Sequence, residues 1–197
     1  MGLGIMTTPS ERFVQNAHPH SWMLVAENLY EHAAQVRAAS GRQYLTLRTD
    51  TSIEHQDLSW RPTFLLSALA IENSIKAFLV FENPNWISNG TLAKPLRSHR
   101  LNDLVLLSDV IPYRGKNKNL LSKFESGIES FGRYPCGVDV RTTFSVPPFG
   151  DYEWAQFQRL IRSHGRRMKR LLQDGWYGPH GQSGSFCFSG EFFAFGE

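Results

Sequence analysis

Glu72 and Lys76 stand four residues apart inside a long apolar stretch, in the order that favours an ion pair along one helix face. Two uses of such a pair are open. It is either an ion pair inside a helical core, held by its neighbours, or two groups that face a ligand. His99 precedes a leucine-spaced segment, where it either bonds a backbone group near a helix start or does chemistry. Arg133 comes before Tyr134 and Pro135. A guanidinium beside a rigid Tyr-Pro suits bidentate capture of a phosphate, and pairing with Glu72 across a bundle is the other reading. Arg159, Arg162, Arg166, Arg167, Lys169 and Arg170 form a basic run without an acid. The run reads as a solvated helix face, or as a surface for RNA or an acidic partner protein. No stacking aromatic is expected beside it, which weighs against single-strand recognition.

These residues need elements to position them. Arg61 to Phe81 is the longest mostly apolar stretch free of Gly, with Phe64, Ala68, Ile71, Ile75 and Phe78 at helical spacing and a second file of Leu65, Leu69, Glu72, Lys76 and Leu79 beside them. Apolar residues on two adjoining files predict the central helix of a bundle. A helix from Pro19 to Ala39 is expected to bury Trp22, Val25, Leu29, Ala33 and Val36, with Glu27, Glu31 and Gln35 outward. Residues 41–60 read as a short strand or extended crossover near Tyr44 to Leu47, followed by a polar loop from Thr49 to Asp57. Asn83 to Pro95 reads as a loop. A short helix follows from Arg100 to Val110 with Leu101, Leu104 and Leu107 inward. After a basic turn at Tyr113 to Asn119, a helix from Leu120 to Phe131 turns Leu121, Phe124, Ile128 and Phe131 to the core. Gly132 to Gly150 reads as extended and proline-broken. The last helix, Asp151 to Asp174, carries the seam Trp154, Phe157, Ile161, His164, Met168 and Leu171. The expected organisation is an extension over 1–18, a helical bundle over 19–174 and a Gly/Phe-rich tail over 175–197, the tail disordered or with a short strand between Gln182 and Phe188.

A chain of 197 residues with 41% hydrophobic and 20% charged residues can bury an ordinary core. A net charge of +3 is too small by itself to imply nucleic-acid binding. Cys136 and Cys187 lack metal-ligand spacing and read as free thiols in a reducing compartment. No secretion signal is read at Met1 to Thr8. The central stretch carries Glu72, Asn73 and Lys76 at its midpoint, each costly in hydrocarbon, so no membrane span and a cytoplasmic location are expected.

Four landmarks stand in order: Ala70, Glu72, Lys76 and Ala77 in the central helix; His99, Leu101 and Leu104; Phe131 followed by Arg133, Tyr134 and Pro135; and a final amphipathic helix. Over roughly Pro19 to Asp174 this order resembles the HEPN domain, a four- to five-helix bundle. The resemblance implies an all-α, up-and-down bundle. It further implies a homodimer with its working groove between protomers, and a nucleotidyltransferase partner in a toxin–antitoxin or defence setting. Catalytic members of the family are metal-independent ribonucleases using an Arg and a His separated by four to six residues, His as general acid or base and Arg on the phosphorane charge.

Arg159 and His164 fit that separation, as do Arg12 with His18 and Arg48 with His55. Fifteen Arg and seven His produce roughly 1.6 such matches by chance, so spacing alone does not choose among them. On a straight helix the Arg159 and His164 side chains diverge by about 140°. The family's AMP-accepting members have Tyr two residues after the His, where this chain has Arg166. No His lies four to six residues beyond Arg133, so a site built there lacks its base.

The reading is a non-catalytic or weakly catalytic HEPN-like module that binds a nucleotide, RNA or a partner protein in a toxin–antitoxin, defence or stress-response setting, without a cofactor or metal. Its binding candidates are Glu72, Lys76, His99, Arg133 and Tyr134, with Arg162, Arg166 and Arg170 on a basic face. The alternatives are a metal-independent endoribonuclease using Arg159 and His164, and a structural homodimer without a ligand.

Overall fold

Apolar residues around most of the circumference of α3 (Trp60–Glu82) force other elements to surround it, and they do: Phe64, Ala68, Ile71, Ile75, Phe78, Leu79 and Val80 are all fully buried. The computed structural model describes residues 8–39, 44–57, 59–113, 117–130, 132–134, 139, 141 and 149–194. Before α3 come α1 (Pro9–Asn16), α2 (Pro19–Ala38) and a hairpin of β1 (Tyr44–Arg48) with β2 (Ile53–Asp57). After it come α4 (Leu101–Leu106), α5 (Lys118–Glu129) and α6 (Asp151–Gln173), then the short pair β3 (Trp176–Tyr177) and β4 (Ser183–Gly184). The fold is mostly helical, with α2, α5 and α6 against α3 and one continuous core. By length and composition α3 could cross a membrane, yet 72% of its most apolar window is buried inside the protein.

Local chemistry sets the helix starts. Thr8 and Glu11 form a reciprocal cap at α1, with Pro9 in the first turn, and Val14 carries this helix into the core. Ala17 joins it there, with Phe13 packed alongside. At α6, Glu153 reaches back to the Gly150 N–H (3.0 Å) and also takes Lys123 (2.8 Å), chiefly the latter holding its carboxyl below the usual range.

Several expectations change. The expected polar loop at Thr49 to Asp57 is instead the turn and second strand of a hairpin, pairing Tyr44 with Asp57 and Arg48 with Ile53. Thr49 organises the turn: its hydroxyl accepts from the Ser52 N–H (3.0 Å). The buried face of α2 is Met23, Ala26, Tyr30, Ala33 and Ala34, rotated from the expected stripe, and Val25 is 46% exposed. Small Ala26 and Ala33 allow close approach. The buried Tyr30 hydroxyl meets Gln158 (3.2 Å) and Arg162 (3.3 Å). Helix α4 ends at Leu106, which leaves Leu107 outside, 50% exposed. Phe131, Pro135 and Cys136 lie outside the described residues, as does most of the extended segment 132–150; the Cys187 thiol is exposed.

In the tail, β4 falls within Gln182 to Phe188, the segment read as a short strand or disorder, and pairs with β3; the burial of Trp176, Phe192 and Phe193 in the core was not expected. Gly165 makes this possible, since a Cβ there would lie 2.7 Å from Phe192 Cβ and 2.8 Å from Phe193 Cδ2.

Candidate functional site: a basic cleft along the last helix

The expected polar residues separate into three places. Glu72, Lys76 and His99 come together: Lys76 Nζ donates to Glu72 Oε1 (2.6 Å) and His99 Nδ1 to Glu72 Oε2 (2.8 Å). Both ends of the ion pair are buried, at 5% and 4% exposure, and Lys76 lies 5.9 Å from the Trp22 ring centroid. Burial of two opposite charges with both carboxylate oxygens occupied is the geometry in which a core ion pair is tolerated. His99 therefore bonds a carboxylate, not a backbone group, and its half-exposed ring ties the segment before α4 to α3.

Arg133 and Tyr134 lie elsewhere, exposed in the turn after α5, where Arg61 donates to the Tyr134 carbonyl (3.2 Å). Arg61 is eleven residues before Glu72 on α3, roughly 16 Å along the axis. The Arg133–Glu72 pairing is not formed, because Lys76 and His99 already hold both oxygens of Glu72.

Arg159 and His164 are not brought together either, as their angular separation on α6 requires. His164 is 2% exposed, packs edge-on to Phe78 and sits 2.9 Å from Ser74 Oγ. Ser74 gives its single proton to the Ile71 carbonyl (2.8 Å), so His164 Nδ1 is the donor to Ser74. Burial pushes the imidazole down to about 3, leaving it neutral in the core.

Arg159 faces the other way, into a cleft of about 480 Å³ that it lines with Arg162, Arg166, Tyr113, Asn117 and Gln156. Arg159, Arg162 and Arg166 recur at three and four residues, so they share one face of α6. Tyr113 arrives from the loop after α4 in a left-handed conformation (φ 58°) and is 58% exposed. Arg167 fixes that loop by donating to the Val110 carbonyl (3.3 Å). Arg162 is held from behind by the Phe193 carbonyl (3.1 Å) and the Tyr30 hydroxyl. Among the described residues, no carboxylate pairs with Arg159, Arg166 or Arg170. A second cleft of about 390 Å³ continues along the helix, lined by Arg166, Lys169, Arg170, Gln173 and Glu191.

The chain matches no protein-family model, no curated protein and no solved structure. What the cleft can do follows from its own composition. Guanidinium groups offer several donors each in fixed geometry and suit phosphate oxygens; an exposed ring beside them suits a base. Tyr113 corrects the expectation that no aromatic adjoins the basic run. It stands 46 residues before Arg159 in the chain, so the fold is needed to bring the two together. The one signal in the sequence was its place after Pro112, heading a turn with Arg114, Lys116 and Lys118.

Proposed function

We propose that this chain is a HEPN-like helical module that binds single-stranded RNA along the basic face of α6, with no catalytic histidine of its own in the cleft. The carrying observation is the cleft of Tyr113, Arg159, Arg162 and Arg166, extended by Arg170. From Arg159 to Arg170 the row runs roughly 16 Å along the helix, which suits a chain of phosphates better than a lone anion. Tyr113 adds a π face to which any base can stack.

The buried, neutral His164 supports the non-catalytic side of this reading, since a general base must reach the hydroxyl it deprotonates. The HEPN resemblance draws support from Glu72, Lys76 and His99, three of its landmarks, which converge in one cluster of a mostly helical bundle. The setting follows from the resemblance: a cytoplasmic homodimer working beside a nucleotidyltransferase in a toxin–antitoxin, defence or stress response. Light scattering of the purified protein and inspection of adjoining reading frames test that part.

Fluorescence anisotropy with a labelled single-stranded RNA oligonucleotide tests the binding. Affinity is expected to fall steeply between 50 and 200 mM salt, and Arg159→Ala and Arg166→Ala each to lower the log–log salt slope by about 0.7. Adenosine monophosphate serves as the short-ligand arm; if it competes at full strength, the cleft is a nucleotide site instead. Binding that ignores salt and both substitutions removes the reading. Incubation of total RNA in EDTA is expected to leave the RNA intact. Cleavage abolished by His164→Ala would replace the module with a metal-independent endoribonuclease.

A further inference from the structure

Among the residues that line the second cleft, Glu191 brings a carboxylate, and it comes from the tail. Lys169 Nζ contacts Glu191 Oε1 at 2.7 Å and also donates to the Gly190 carbonyl. Next to Glu191, Phe192 and Phe193 are buried against Gly165. The Phe193 backbone is held at both ends: its N–H donates to Glu27 Oε2 (2.6 Å) and its carbonyl accepts from Arg162 Nε (3.1 Å). The tail is thus anchored firmly two residues from a carboxylate that is itself loose, with the Glu191 side chain 58% exposed and Lys169 only 19% exposed.

We infer that residues 190–193 form a strap across the basic face, in which Glu191 occupies Lys169 as an internal stand-in for a phosphate and is displaced when RNA binds. This rests on the binding reading above. The chemistry is an exchange of one anion for another on the same ammonium. The buried phenylalanines keep Glu191 at high local concentration, and its exposure lets it leave without breaking the core. Arg166 lines both clefts, so a strand seated beside Arg159 and Arg166 would next meet Lys169 with Glu191 on it. The strap therefore grades affinity by length: an oligonucleotide confined to the first cleft does not feel Glu191, and a longer one must displace it.

A double-mutant cycle on the full chain tests this, using labelled single-stranded RNA of two lengths, a trinucleotide and a dodecamer. E191Q is expected to tighten dodecamer binding two- to fivefold, about the worth of an exposed ion pair, and to leave the trinucleotide unchanged. In a K169M background the gain should vanish, because the group that Glu191 occupies is gone. D174N removes another exposed carboxylate from the end of the same helix and measures the effect of net charge alone. A gain in D174N equal to that in E191Q overturns the inference, as does a gain that persists with K169M or an unchanged E191Q affinity. In those outcomes the salt-sensitive binding of the wild-type chain still stands. If neither the wild-type chain nor E191Q binds RNA, the binding reading falls and the strap falls with it.

Discussion

Two charged regions of this protein touch different sides of the same framework and teach opposite lessons. At Glu72, Lys76 and His99 the charges are matched: one carboxylate takes an ammonium and an imidazole, and two of the three groups are nearly sealed from water. From Arg159 to Arg170 on α6 the charges are of one sign, with Arg159, Arg166 and Arg170 facing solvent, and the carboxylate that meets them, Glu191, is brought by the tail. The regions are separated around α3 as well. Ser74, which contacts His164 of α6, lies about 200° around the helix from both Glu72 and Lys76. Charge matched in the interior fixes a fold, whereas unmatched charge at the surface is available for a partner.

Four experiments would break or sharpen that contrast. The largest effect is expected for Glu72→Ala, which leaves Lys76 buried without its counter-charge and removes the acceptor of His99. Unfolding in urea should show a loss of about 3–5 kcal/mol. A loss below 1 kcal/mol would mean the pair is not sealed and the two regions are less different than described.

Next is Gly165→Ala. The new methyl gains about 1 kcal/mol of helix propensity but meets the tail at less than 3 Å, a clash that costs about 1–3 kcal/mol. Net destabilisation is expected, together with faster hydrogen exchange at the Phe193 amide. An unchanged amide would show that the tail does not depend on this contact.

Acid dependence comes third, and its sign follows from the groups involved. His164 is held neutral to about 3 and His20 to about 4, both by burial, and His18 is lowered for the same reason. Each binds a proton more readily in the unfolded chain, so each makes stability fall as pH drops below about 6.5. Glu27, raised to about 7 by burial, acts oppositely: stability from it is lost as pH rises from 4.5 toward 7. Between pH 6.5 and 4.5 three imidazoles oppose one carboxyl, and net loss on acidification is expected. His164→Gln should flatten that slope by up to about 1.4 kcal/mol per pH unit, read from urea titrations across the window. A slope unaltered by the substitution would place His164 in contact with water.

The smallest effect on stability is expected for two exposed arginines. Arg133→Ala and Arg166→Ala should each change unfolding free energy by less than about 0.5 kcal/mol. Only Arg166→Ala should weaken RNA binding. Equal weakening by Arg133→Ala would extend the surface to the turn after α5.

Much of the framework was legible because period-3.6 apolar patterns are dense in this chain. The helices expected at Pro19 to Ala39, Arg61 to Phe81 and Asp151 to Asp174 appear within one residue of those limits. The seam through Phe157, Ile161, His164 and Met168 is buried as the spacing implied. What stayed hidden has physical causes. After Ile53 the hairpin strand Ile53–Asp57 is polar and carries no alternation to read. On α2 two adjoining apolar stripes competed, and tertiary packing buried the one of Met23, Ala26, Tyr30 and Ala33, which pairs two large side chains with two alanines. Glu27 was placed on an outer face because nothing local signals that Phe193 will cover it. For the site, the Arg face was visible from spacing, while Tyr113 and Glu191 reach it from other segments and required the fold.

The bond between Glu27 and Phe193 joins residues 166 positions apart. It closes nearly the whole chain into a ring, and closing so long a loop is among the slower events a folding chain undergoes. Docking of the tail through this contact is therefore expected among the later steps of folding, after the helices of the bundle have packed on α3.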